Sequence, residues 1–92
     1  MKYIIKPRSG FSKDVKKIEK RGCDLNLLRD IIIKLANGEK LPEKNHDHAL
    51  VGKYKGCREC HIQPDWLLIY EIDNYTLYLY LTRTGSHSDL FI

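Results

Sequence analysis

The sequence predicts an α+β domain in which a helical hairpin covers one face of a small, largely antiparallel sheet. Three observations carry that prediction. Apolar residues between Phe11 and Leu35 recur at helical spacing. The part of the chain beyond Gly56 is built of short apolar or alternating runs separated by turn residues. A β-branched run, "YIIK", precedes the helices and is bounded by Pro7. The expected order is β-α-α-β-β-β with a short C-terminal helical turn, in a single domain over residues 1–92.

Each element has its own warrant. "YIIK" reads as a strand. In "SGFSKDVKKIEKRG", Phe11, Val15 and Ile18 fall at i, i+4 and i+7, one face of a helix. Ser9 or Ser12 is placed to cap its start, and Gly22 suits a left-handed stop. Lys13, Lys16, Lys17 and Lys20 share the opposite face, a solvated stripe that also suits phosphates. Asp24 is a good N-cap for a second helix, whose apolar face is Leu28, Ile31, Ile32 and Leu35, with Leu25 and Leu27 beside it. Asn37-Gly38 ends it, and the short connection makes the pair an antiparallel hairpin. Residues 38–53 have no period and read as an irregular loop of the kind that often carries function.

The remaining segments read as strands. "GCRECHI" is stopped by Pro64. "WLLIYEI" is nearly all apolar, as a strand covered on both faces should be. After a "DNY" turn, "TLYLYLT" alternates: Leu77, Leu79 and Leu81 should meet the helices, and Tyr78, Tyr80 and Thr82 should line the open face. "RTGSHSDLFI" closes the chain as a helical turn.

The net charge is +4, which favours a polyanionic partner such as RNA, DNA or an acidic protein. No apolar run is long enough to span a bilayer, and the N-terminus lacks the features of a signal peptide. A cytoplasmic protein with no membrane association is therefore expected. Three cysteines are an odd number, which argues against a disulfide framework.

"CRECH" spells the C-x-x-C-H pattern of c-type haem attachment and half of a zinc site. Strand parity argues against both, because residues three apart point to opposite faces. Cys57 and Cys60 would diverge. Cys60 shares a face with Ile62 and reads as core, while His61 shares the other face with Glu59 and Cys57. No metal and no cofactor are expected.

The histidines are more promising. His48 on the loop, His61 within the sheet and His87 near the C-terminus could meet on one surface with Asp65, Arg83 and Tyr80. Together they would supply a base, an acid and a cation for a phosphate, the parts needed to cleave RNA through its own 2′-OH. Parity places Arg83 with Leu81, toward the core; it reaches the open face only if the strand ends or bulges first. His46 reads as surface.

Three segments, "FSKDVKK", "DHALVGKYKGCRECHIQPDWLLIY" and "RTGSHSDLF", then occur in an order and spacing that resembles the YafQ branch of the RelE-type toxins. These are ribosome-dependent mRNA interferases of type II toxin–antitoxin pairs within the RelE/ParE superfamily. The resemblance implies a RelE-like fold, with the helical hairpin on one face of the sheet and mRNA on the other, in the ribosomal decoding site. It implies that His48, His61 and His87 are active-site histidines, that Asp65 and Trp66 matter for cleavage, and that Arg83 faces the phosphate. It makes Phe91 an aromatic needed for activity. The lysine stripe and Tyr80 would contact RNA. The implied partner is an acidic DinJ- or RelB-like antitoxin, through which operator DNA is reached only indirectly. The alternative is a non-catalytic RNA- and antitoxin-binding module on the same scaffold.

Overall fold

The β-branched start of the chain forms β1, Ile4–Pro7, in the computed structural model, which describes residues 1–92. Helix α1, Ser9–Lys20, buries Phe11 and Ile18 with Val15 partly buried beside them, the face that the spacing predicts. Its N-cap is Arg8, without a side-chain cap, so neither Ser9 nor Ser12 takes that place. The reason lies in the sheet: the Arg8 N–H donates to the Leu81 carbonyl at 2.9 Å, and the helix starts directly where strand pairing stops. Gly22 takes a φ of 85° after the helix, a conformation costly for other residues. Helix α2, Leu25–Ala36, is capped by Asp24, whose carboxylate accepts the Asn26 N–H at 3.0 Å.

Four further strands complete the sheet: β2 (His48–Ala49), β3 (Arg58–Gln63), β4 (Trp66–Asp73) and β5 (Tyr78–Gly85). The order is β1-β5-β4-β3-β2. β1 runs parallel to β5 and every other pairing is antiparallel, so the sheet is mixed. β2 falls inside the segment expected to be irregular. It exists because two of its residues find partners on β3, His48 opposite Glu59 and Ala49 opposite Arg58. The turn before β5 also runs longer than expected. The Asp73 carboxylate accepts the Tyr75 and Thr76 N–H groups, and Leu77 adopts a φ of 58°. Leu77 is therefore exposed instead of packing with Leu79 and Leu81.

The helices cover one face of the sheet, where Leu68 and Tyr70 of β4 and Leu79 and Leu81 of β5 meet Phe11, Ile18, Leu28 and Leu35. On the other face Leu67 and Ile69 are covered by Leu90 of a short helix α3, His87–Phe91, with Leu50, Tyr54 and Cys57 around them. That double cover explains the unbroken apolar run of β4. No helix is long and apolar enough to cross a membrane.

One irregularity positions a site residue. Ile69 lies opposite Arg83, yet its neighbour Tyr70 lies opposite Leu81, leaving Thr82 as an extra residue in β5. This β-bulge reverses the side-chain alternation beyond it. Arg83 now shares the face of Leu67 and Ile69, and Thr84 turns toward the helices.

Candidate active site

The face of β3 that carries Glu59 and His61 is set by their partners on β4, Ile69 and Leu67. β2 adds His48 opposite Glu59. The three side chains converge. Glu59 is 6% exposed, and its Oε1 lies 3.5 Å from His48 Nε2 and 3.8 Å from His61 Nε2. The other ring nitrogens face backbone carbonyls: His48 Nδ1 is 2.6 Å from the His46 oxygen, and His61 Nδ1 is 3.2 Å from the Pro64 oxygen. A carbonyl only accepts, so both Nδ1 atoms carry hydrogen and both Nε2 atoms are turned to the one carboxylate. A proton on either Nε2 would sit against Glu59.

The loop that presents His48 is pinned at several points. Asp47 Oδ1 accepts from the buried Tyr70 hydroxyl at 2.7 Å and from Arg58 Nε at 3.2 Å. Burial and that hydrogen bond raise the Tyr70 pKa well above the ordinary phenol value, so it stays a donor. Asn45 donates its amide to the His61 carbonyl at 2.8 Å. His46 takes a φ of 47°, which turns its carbonyl toward His48, and its ring packs edge-on against His61 with centroids 5.3 Å apart. His46 thus supports the site, although its place in the sequence marked it only as surface.

The two-residue turn Pro64-Asp65 joins this group to α3. Its Pro64 carbonyl holds His61, and its Asp65 carboxylate accepts the His87 N–H at 3.1 Å. The His87 ring lies against Phe91, with centroids 5.0 Å apart, and Phe91 meets Tyr54 edge-on at 5.7 Å. Helix α3 has only five residues and would not persist alone. It is held by Leu90 and by Asp89. The latter closes a capping box with Ser86 and receives both arms of Arg21, at 2.6 and 3.0 Å, and Lys17 at 3.2 Å. Arg21, aided by the Ser86 N–H, holds the Asp89 carboxyl far below the ordinary carboxylate range.

Arg83 occupies the rim of the same face but reaches sideways. Its Nε and Nη2 donate to Asp14 of α1 at 2.6 and 3.1 Å. Beyond Pro7, β5 has no strand on its β1 side, and Asp14 fills that position by accepting the Thr84 N–H at 3.1 Å. Gly10 leaves the room, since a Cβ there would come within 3.1 Å of Arg83 Cδ. The Asp14 hydrogen bonds raise the Arg83 pKa further, and the neighbouring Tyr54 hydroxyl adds to the shift; Nη1 takes no part in the bonds to Asp14.

Other expected site residues stand elsewhere. Trp66 is 4% exposed in the helix-side core, where its indole N–H donates to Thr84 Oγ1 at 3.0 Å; it is not on an RNA-facing surface. Gln63 and Trp66 pair across the hairpin, and this register turns the indole inward. Lys13, Lys16 and Lys20 are exposed on α1, in the layer across the sheet from His48 and His61, and Lys17 is engaged by Asp89. Tyr80 is half-exposed on the active face, in its part nearest β1. Cys60 is fully buried among the helix-side residues and Cys57 lies in the cluster on the other face, so the pair diverges. Burial pushes the Cys60 thiol up to about 12 and raises Cys57 as well, which keeps both protonated.

Residues 3–92 match the family model described as bacterial toxin of type II toxin–antitoxin system, YafQ. The chain belongs to the YafQ toxin family. It is 43% identical over 82 residues to the mRNA interferase toxin YafQ of Escherichia coli strain K12, covering 88% of this chain and 87% of that one. The crystal structure of YafQ from E. coli strain BL21(DE3) superposes with a TM-score of 0.91 at 38% identity, covering 98% and 99% of the two chains. YafQ in the E. coli DinJ–YafQ toxin–antitoxin complex superposes at 0.89 with 39% identity over the full length of both. The YafQ fold is thus the α+β arrangement described above, with its mixed five-stranded sheet.

Proposed function

We propose that this protein is the toxin of a type II toxin–antitoxin pair and a metal-independent mRNA interferase that cuts message during translation. The observation that carries this reading is the convergence of the His48 and His61 Nε2 atoms on Glu59, one turn away from Asp65 and His87. Its E. coli relatives are named mRNA interferase toxins.

The chemistry follows from the groups present. A histidine takes the proton from a ribose 2′-OH, and O2′ attacks the adjacent phosphorus. The P–O5′ bond breaks as the O2′–P bond forms, leaving a 2′,3′-cyclic phosphate, and a second acid protonates the departing O5′. Glu59 orients the His48–His61 pair and balances a proton held there. His87, fixed by Asp65 and stacked on Phe91, serves the proton transfer on its side of the phosphate. The Arg83 guanidinium stabilises the charge that builds on the non-bridging oxygens. The antitoxin is a DinJ-like protein, acidic to complement a toxin of net charge +4.

Primer extension on mRNA from an induced culture, with and without an antibiotic that blocks ribosomes, tests the reading. Discrete 5′ ends that depend on translation and vanish in His87→Ala are expected. A folded wild-type toxin that leaves no such ends would favour a non-catalytic binding module.

A further inference from the structure

The active face continues past Ile69 to Glu71 and Asp73 of β4, and their partners on β5 are Tyr80 and Tyr78. The two tyrosine rings are half-exposed and meet edge to face, with centroids 5.8 Å apart and planes at 88°. Each carries a cation. Lys6 Nζ lies 4.8 Å from the Tyr78 centroid, and Arg8 Cζ lies 4.4 Å from that of Tyr80. Both cations come from the end of β1 and are themselves exposed; Arg8 also reaches Glu71 at 3.8 Å. None of these groups enters the acid–base chemistry.

We propose that Lys6, Arg8, Tyr78 and Tyr80 form a stacking platform for single-stranded RNA flanking the scissile nucleotide. The inference rests on the reading that RNA is the substrate of this face. Three inter-strand spacings separate β3 from β1, about 14 Å, a span that a few nucleotides of extended RNA bridge. An alternation of ring faces and cations is what a strand of bases and phosphates requires: bases stack on tyrosine or on a guanidinium plane, and phosphates meet the ammonium and guanidinium N–H groups. The rings hold the two cations in place in advance, one over each tyrosine, with the Arg8 guanidinium offering a plane of its own. An acidic protein segment would use the cations and leave the rings unoccupied, so RNA is the better match.

The test separates binding from cleavage. A short fluorescent RNA with every 2′-OH methylated cannot be cut by the proposed chemistry, and its affinity for the purified toxin is read by anisotropy across a salt series. The Tyr78→Leu/Tyr80→Leu variant keeps apolar bulk and loses the π-faces; it should bind about 5- to 100-fold more weakly. Tyr78→Phe/Tyr80→Phe keeps the rings and should bind within about twofold of wild type. Lys6→Gln/Arg8→Gln should lower the slope of log affinity against log salt by about 1.4, the share of two phosphate contacts on a single strand. Circular dichroism confirms that each variant is folded. Equal affinity of the leucine pair and wild type, equal losses in the leucine and phenylalanine pairs, or no binding by wild type would each overturn the platform. So would competition by polyglutamate as effective as by RNA, since that marks a site for any polyanion. Primer extension reports separately on cleavage, so a platform that binds RNA in a protein that does not cut would stand apart from the proposed activity.

Discussion

Asp14 sits where a strand is missing, and replacing it by alanine measures what it does there. Its carboxylate accepts the buried Thr84 N–H at 3.1 Å and two Arg83 donors at 2.6 and 3.1 Å. Asp14→Ala strands the Thr84 N–H, a penalty of about 1–3 kcal/mol for a buried donor. The Arg83 side chain is 31% exposed, so the ion pair itself adds no more than about 1 kcal/mol. The expected loss is about 2–3 kcal/mol, or a fall in Tm of roughly 10–20 °C for a chain of this size. In urea the midpoint should drop by about 1–2 M with an unchanged slope. Asp14→Asn keeps an acceptor for Thr84 and should lose only about 1 kcal/mol. Arg83→Ala leaves Asp14 bonded to Thr84 and should lose less still, about 0–1 kcal/mol, while it removes the cation proposed to meet the phosphate. The order in stability is therefore alanine at 14, asparagine at 14, alanine at 83, and mRNA cleavage should suffer most in the last. Equal stability of the first and third variants would refute the account of Asp14 as a substitute strand.

Three further outcomes are expected. Because Arg21 depresses the Asp89 pKa in the folded state, the stabilisation from Asp89 is complete above the ordinary carboxylate pKa, about 4, and is lost as pH falls below it toward the lowered folded value. Urea midpoints of wild type and Asp89→Asn should therefore differ near neutrality and draw together between about pH 4 and pH 2, and a gap that stays constant would rule out the ionised clamp. Glu59→Gln should fold, yet cut mRNA about 10²-fold more slowly in a single-turnover assay on programmed ribosomes, within the range that general acid–base catalysis supplies; an undiminished rate would leave Glu59 a structural residue. Trp66→Phe removes one buried hydrogen bond to Thr84 and should lower stability by about 1–2 kcal/mol with cleavage per folded molecule within a few-fold of wild type. A loss of cleavage without a loss of stability would restore Trp66 to the RNA surface.

Local features were the ones most open to sequence reasoning. The i, i+4, i+7 spacing of Phe11, Val15 and Ile18 marked the buried side of α1, and Asp24 marked the start of α2, because both depend on residues within a turn or two. Strand parity also separated Cys60 from Cys57 and put His61 beside Glu59. What escaped depends on partners distant in the chain. β2 exists only through Glu59 and Arg58, and Asp14 reads as one more polar helix residue until the free edge of β5 lies against it. Glu59 sat in plain view between two candidate positions, and its role required knowing that His48 would come to lie opposite it. Trp66 follows a proline-containing turn, where the pairing of Gln63 with Trp66 decides which way the indole points.

The extra residue at Thr82 gives β5 two reading frames. Up to Leu81 the strand alternates in one phase, with tyrosines on the active face and leucines on the core; from Arg83 onward it alternates in the other. Deleting the single codon for Thr82 would merge the phases without changing the identity of any other residue. Arg83 would still fall opposite Ile69 and Thr84 opposite Leu68, because plain alternation from Leu81 puts them on those same faces. What would send Arg83 into the apolar layer is regular pairing with Thr82 retained, so the bulge itself, and not the side chain that occupies it, keeps the cation on its face.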